Sequence, residues 1–496
     1  MNAWFAGDFE QCLTLCDSVR HDDATTRTHV ALLRARALLR LDRADDALRS
    51  LSIAAATPVG TDEAITTRML TGSALVRRGD LDAGLATLVA AAADARSAHP
   101  TIRSEIALNI GLAHYGHRDF DAANRALVGV ARDADLVYAR AVQYRAWIAV
   151  ARGKNELAAR LFTSALQQLD ACTHRDAFFA ANSTRMLAHL ALERLDRNTW
   201  SVVASRRAEI DWTVKGLAEP RFWIAYCAAS YRLDAEGDVI GAAREARHAE
   251  EIAPTAAFRV SARCKRAAIA RLTGELHAHR DHTESAADLF STLDPRTFTA
   301  DEKLAAAILA EELAGFDGAR AKAAFDVYRS IEPELPVMSS HTSSNDGYRA
   351  LVEAAVTARL GDAAVALERY RRAHDVYGRI GYTRRAATAA LGIARLTRDH
   401  KMQAYADRVT SHLPSHTWLR CEVDALKLQG TKLTDVQREV LHLICQGKSN
   451  PEIARLRNRS LHTVRNLVAR LFEIFEVKSR EELAVECVRR GIYNRA

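Results

Sequence analysis

A helix-stopping signal recurs through the first 413 residues, and it restricts the chain to stacked helical hairpins. In the clear copies Gly-Asp is followed by an apolar residue and then a small one. These are Gly7-Asp8-Phe9 with Cys12, Gly79-Asp80-Leu81 with Gly84, Gly237-Asp238-Val239 with Ala242, and Gly361-Asp362-Ala363 with Ala366. Looser copies begin at Asp42, Arg118, Gly153, Asp196, Gly274 and Gly315, so successive starts lie 35 to 46 residues apart. Glycine accepts the left-handed backbone that ends a first helix. The small residue lets the second helix approach the first closely. After Gly361, residues Ala366, Tyr370 and Ala373 follow at spacings of four and three and share one helix face. A lone hairpin cannot bury such a face, so neighbouring hairpins must stack into a superhelix with a concave side.

Composition agrees with helix. Nine prolines are few for 496 residues, and no long run of alternating β-branched residues could build a sheet. The expected fold class is all-α. No uncharged apolar stretch reaches the roughly 18 residues of a membrane span. The opening MNAWFAGDFEQCL lacks the basic-then-apolar order of a signal peptide. A cytoplasmic protein is expected. Eight cysteines without a CxxC pair read as small buried thiols, including Cys12 and Cys16 on one helix face.

Chemistry-bearing motifs are missing from the repeats. There is no GxxxxGK[ST] phosphate loop, no receiver-like alternation of strands and helices, no nucleophile elbow and no HExxH. Catalysis, cofactors and metals are therefore not expected. His277, His279 and His282, with Asp281 and Glu284, form the densest ligand-like cluster. Their spacing matches no metal site, and a solvated loop or helix end is expected there. Tyr144, Trp147, Phe222, Trp223 and Tyr226 recur at helical spacing and read as packing.

The tail differs from the body. From Thr431 to Ala496 it holds thirteen Lys and Arg against eight Asp and Glu, a net +5 out of the chain's +7. A compact basic module on a near-neutral body fits nucleic-acid binding. Thr434 is placed to cap a helix running to about Gln446, with Gly447 as its stop. Asn450 and Pro451 open a short second helix. Ser460 caps a third, Leu461 to about Phe475, and Ser479 caps a fourth that ends before Gly491. On a helical wheel Val464, Leu467, Val468, Leu471, Ile474 and Phe475 form the apolar stripe of the third helix. His462, Arg465, Asn466, Ala469 and Glu473 lie opposite, with Arg470 at the edge. A short helix, a turn and a longer helix with a polar face is helix-turn-helix geometry.

Two resemblances follow from these residues. The body, residues 1–413, resembles a tetratricopeptide repeat array. The tail, residues 431–496, resembles the LuxR-type helix-turn-helix domain through Leu433-Thr434, Arg438-Glu439-Val440-Leu441, Gly447-Lys448-Ser449-Asn450, Glu452-Ile453-Ala454, Ser460, Thr463-Val464-Arg465, Val477, Ser479-Arg480 and Gly491-Ile492. Residues 414–430 are expected as a linker with one short helix. The resemblance implies that Arg465, Asn466, Ala469 and His462 read bases. It implies that Lys448, Asn450, Thr463 and Arg470 hold the DNA backbone, and that Leu483 and Cys487 in the last helix make a dimer contact. Arg457 and Arg459 flank the turn where the family carries apolar residues; pointing outward they would add phosphate contacts, and otherwise they would loosen the turn. The implied function is a bacterial regulator binding promoter double-stranded DNA as a homodimer. Its repeats would answer to a peptide, protein or small-molecule effector. The alternative is an interaction scaffold whose tail serves dimerisation or protein binding.

Overall fold

The computed structural model describes residues 8–19, 23–56, 60–173, 176–214, 216–331, 342–429 and 433–489. Gly7, Gly491 and Ile492 lie outside them. The described chain is all-α. Helices follow one another as antiparallel hairpins, each packed on the next, from Phe9–Ser18 to His400–Thr410.

The expected stop signal works as backbone geometry. Gly79, Gly153, Gly237, Gly274 and Gly361 adopt positive φ between 68° and 100°. Asp42, Arg118 and Leu195 take the same left-handed conformation without being glycine, with φ of 59°, 59° and 55°. Gly315 is the exception. Its φ is not positive, and Asp317 instead caps the next helix by accepting the Arg320 N–H at 3.0 Å. The aspartate of the signal has a role of its own. Asp8, Asp119, Asp238 and Asp362 each accept a backbone N–H three residues on, at 2.8–3.1 Å, and so satisfy an otherwise unpaired donor. The small residues sit where helices cross. A Cβ on Gly84 would stand 2.9 Å from the Gly72 carbonyl oxygen, and Ala242 and Ala366 are fully buried.

The body closes on itself between residues 153 and 397. Helix Thr383–Thr397 packs against helix Ala177–Arg194, almost 200 residues earlier. The buried Asn155 donates from Nδ2 to the Ile380 carbonyl at 2.7 Å, and Ile380 lies directly over Gly153. Arg384 donates to Glu193 at 2.6 Å and to Asp234 at 3.3 Å; Arg385 reaches Glu193 at 3.0 Å. Burial alone would push the Glu193 carboxyl up, but Arg384 and Arg385 overcome it and hold it at about 2. Apolar residues from both ends of this stretch, among them Leu187, Leu190, Tyr382 and Ala387, form one core.

Residues 414–429 hold the one short helix expected of them, but it does not stand free as a linker. Their helix, Trp418–Gln429, buries Leu419, Val423 and Leu426 in that same core. Trp418 Nε1 donates to Asp234 Oδ1 at 2.6 Å, and Arg395 pairs with Glu422. The histidine cluster sits at a helix end, one of the two places expected, but it is not wholly solvated. It lies within helix Leu276–Ser291, and His279 is buried against Phe316 with Nε2 3.3 Å from Glu312. Among the described residues no group of three or more His, Cys, Asp or Glu could hold a metal. Cys12 and Cys16 are buried, as are Phe222 and, in part, Trp147. No described helix is long and apolar enough to cross a membrane.

Candidate nucleic-acid interface

The tail has its own core. Val440, Leu441, Ile444, Ile453, Ala454, Val464, Val468, Leu471, Phe475, Leu483 and Cys487 are buried together, and four short helices surround them. Helix Asp435–Cys445 starts with a reciprocal cap. Thr434 Oγ1 accepts the Gln437 N–H at 3.2 Å, and Gln437 Oε1 accepts the Thr434 N–H at 2.9 Å. Gly447, with φ +79°, turns the chain out of it.

The second helix, Asn450–Leu456, starts one residue earlier than expected. Its N-cap is Ser449 rather than Asn450, because Glu452 stands three residues on and accepts from both the Ser449 N–H and Oγ at 2.7 Å. Asn450 is held from elsewhere: its Oδ1 accepts Arg480 Nη1 at 2.7 Å, while Arg480 Nη2 donates to the Lys448 carbonyl. Arg480 thus ties the last helix to the first turn of the second. The chain then turns through Asn458 at φ +49°, a conformation asparagine accepts more readily than most residues.

Ser460 caps the third helix, Leu461–Phe475, by accepting the Thr463 N–H at 3.1 Å. The expected stripe faces the core, with Val464, Val468, Leu471 and Phe475 buried and Leu467 and Ile474 half-buried. His462, Thr463, Arg465, Asn466, Ala469 and Arg470 are all exposed. His462 Nε2 and Asn466 Nδ2 lie 3.3 Å apart, which ties two polar side chains one turn apart on one ridge. Arg470 is paired with Glu473 at 2.6 Å. Arg465, by contrast, makes no ion pair or hydrogen bond among the described residues, so its planar fork of donors is unoccupied.

Three expected contacts change character. Arg457 does not face outward as a free cation; it is largely buried and pairs with Glu439 of the first tail helix. This pairing holds Arg457 inward, beside the turn. Arg459 is exposed. Leu483 and Cys487 are each fully buried in the tail core, so they are not a surface. Among the described side chains of that helix, the large apolar one that is exposed is Val485, at 66%. The Arg480 tie and the Arg457–Glu439 pair were not visible in the sequence. Their partners lie far apart along the chain, and no local spacing marks them.

Residues 431–487 match the family model of bacterial regulatory proteins, luxR family. The tail is a LuxR-family helix-turn-helix domain. Over 175 residues, 35% of this chain and 82% of the relative, the chain is 26% identical to the transcriptional regulatory protein DesR of Bacillus subtilis (strain 168). Among solved structures it is similar to a Rap protein complexed with competence and sporulation factor, with TM-score 0.35, 14% identity, and coverage of 72% of this chain and 96% of that one. It is also similar to yeast Tom70, with TM-score 0.29, 13% identity, and coverage of 83% and 98%.

Proposed function

We propose that this chain is a cytoplasmic bacterial transcription regulator without enzymatic activity, whose tail binds promoter double-stranded DNA as a homodimer under control of the repeat body. The observation that carries this reading is the exposed face of helix Leu461–Phe475, where an unpartnered Arg465 stands beside Asn466 and His462. Arginine matches the two acceptors of guanine, and asparagine the donor and acceptor of adenine, in the major groove. Lys448, Arg459, Thr463 and the amide nitrogen of Asn450 are available for phosphate. Ala469 offers only a methyl group, suited to a thymine methyl. Two such tails would place their reading helices about 34 Å apart, one DNA turn. The exposed Val485 is the side chain on which a dimer contact would be built.

Genomic footprinting with the full chain gives the operator, and gel-shift titration of Arg465→Ala on that operator tests the assignment. A loss of about 1–3 kcal/mol with relaxed preference at one base pair is expected. Unchanged specific affinity refutes the reading face. The scaffold alternative predicts no salt-sensitive DNA binding at any sequence, so the same titration separates the two.

A further inference from the structure

Six helices border the interior that the closed body encloses: Ala177–Arg194, Ala218–Tyr231, Ala256–Leu272, Leu304–Leu313, Thr342–Arg359 and Thr383–Thr397. Most charges facing it are matched. Glu193 and Asp234 take Arg384 and Arg385; Glu312 takes Arg271 and His279; Arg185 holds Glu219 at 3.1 Å and Asp301 at 2.5 Å. Two others have no ion pair among the described residues. Lys265 makes no ion pair or hydrogen bond among the described residues, and its ammonium sits 4.5 Å from the centre of the Tyr226 ring. Glu311 makes no ion pair there and accepts only the Tyr348 hydroxyl, at 3.2 Å. Arg385 lies over the Tyr348 ring at 4.3 Å, so the two tyrosines bring Lys265, Glu311 and Arg385 into one cluster. The Tyr226 hydroxyl is a third polar group with no partner among the described residues.

These groups are reachable but poorly solvated. Lys265, Tyr226 and Glu311 are half-buried as whole residues, which leaves part of each accessible. Burial, helped by Arg384, nevertheless pushes the Lys265 ammonium below its usual range against the pull of Asp234, Glu311 and Glu312. A desolvated cation held only by an aromatic ring is costly, and so is a carboxylate served by one neutral donor. Glu311 favours the Lys265 charge from a distance, but the two form no ion pair. What this cluster lacks is a negative group for Lys265 and a positive group for Glu311.

We propose that this interior binds a small zwitterion, an α-amino acid or a short peptide with free termini. Its carboxylate pairs with Lys265 and the Tyr226 hydroxyl, its ammonium pairs with Glu311, and its carbon skeleton lies against Tyr226 and Tyr348. The site takes its regulatory meaning from the sensory reading of the body, whereas the binding itself does not depend on that reading. A simple anion fits less well because Glu311 and Glu312 oppose it, and a simple cation because Lys265 and Arg385 do. The cluster is also continuous with the helix that precedes the tail. Arg385 reaches Glu193, Glu193 reaches Arg384, Arg384 reaches Asp234, and Asp234 accepts from Trp418.

The test uses the full chain. Thermal shift and calorimetric titration are run with the twenty standard L-amino acids and with di- and tripeptides, followed by the N-acetyl and carboxamide forms of any hit. At least one zwitterion is expected to bind saturably, and blocking either of its termini is expected to abolish binding. Lys265→Met and Glu311→Gln are each expected to weaken it roughly tenfold or more, the scale of one charge-assisted hydrogen bond. Lys265→Met keeps the aliphatic stem and removes a desolvated charge, so its unliganded melting temperature should not fall; Glu311→Gln gives the same information should it do so. Whether an amino acid or a peptide answers identifies the source. Binding of none of these probes, or equal binding by the double variant, overturns the proposal. Gel shift on the same preparation keeps the readings apart: DNA binding without zwitterion binding removes this site alone, and zwitterion binding without DNA binding removes the operator reading alone.

Discussion

Arg384→Met should open the seam that closes the body, and its cost can be worked from one carboxylate. Glu193 is 1% exposed and accepts Arg384 at 2.6 Å and Arg385 at 3.0 Å. Burial raises its pKa, yet the arginines bring it down from 4.5 to about 2. That depression corresponds to about 3 kcal/mol of stabilisation at neutral pH. Methionine keeps most of the apolar stem of Arg384 but strands Asp234, itself 3% exposed, with the Trp418 donor alone among its close contacts. Breaking a buried pair from one side costs about 3–5 kcal/mol, so a loss of roughly 3 kcal/mol is expected at pH 7. The sign with pH is fixed. A carboxylate with a depressed folded pKa stabilises above its unfolded value, and that stabilisation is lost as pH falls through its folded value. The deficit of the variant should therefore be full at pH 7 and shrink as pH drops from the variant's raised Glu193 pKa toward 2. Hairpin arrays open locally, so hydrogen exchange at helices Ala177–Arg194, Thr383–Thr397 and Trp418–Gln429 is the suitable measure. Adding Glu193→Gln should recover part of the loss, because Gln can still accept from Arg385. A cost below about 1 kcal/mol at pH 7, or one unchanged at pH 4, refutes the reasoning.

The other expected outcomes are narrower. Arg459→Ala should lower the slope of log affinity against log salt by about one, whereas Arg457→Ala, already paired with Glu439, should leave that slope unchanged and cost up to about 1 kcal/mol of tail stability; gel shifts over a KCl series and urea melts measure both. Gly361→Ala should cost about 1–2 kcal/mol, since its φ is +89° and nothing lies within 4 Å of the added Cβ, so the penalty is purely backbone. Sedimentation equilibrium should show Val485→Lys weakening dimers of the chain while the tail stays folded. Leu483→Ala should instead lower tail stability by about 2–5 kcal/mol, as a fully buried leucine does.

The local grammar of the fold was legible because it is carried by neighbouring residues. Gly79, Gly237 and Gly361 turn left-handed where their pattern says a helix must stop. Thr434, Ser460 and the stripe from Val464 to Phe475 do what their spacing requires. Legibility failed where a residue answers to something distant. Ser449 displaced Asn450 as cap once Glu452 bonded back, and Arg480, thirty residues on, took the Asn450 side chain. Leu483 and Cys487 could be placed on a helix from sequence, but which side of that helix meets the core depends on how four helices pack. His279 looked like part of a solvated cluster because its partners lie elsewhere, Glu312 on helix Leu304–Leu313 and Phe316 in the turn that follows it. The ring closure was the least visible feature. Arg384, Arg385 and Glu193 are ordinary surface-type residues by composition, and only the superhelical path brings them together.

That path also bears on how the body could act on the tail. Helix Trp418–Gln429 is the last described helix before the tail, and its buried face rests on the core that joins the two ends of the closed stretch. Its first residue donates to Asp234, which Arg384 also holds. An effector that tightens the interior would favour the closed arrangement, and one that binds only an opened seam would favour release of Trp418. Either effect is limited by the difference in affinity for the two arrangements; roughly 1–3 kcal/mol of coupling would give about 5–150-fold in DNA affinity. The seam is suited to this because its buried carboxylates are paired with arginines only when both sides meet. Separating them strands Glu193 and Asp234 together rather than one contact at a time, which makes the closure an all-or-none step instead of a gradual loosening.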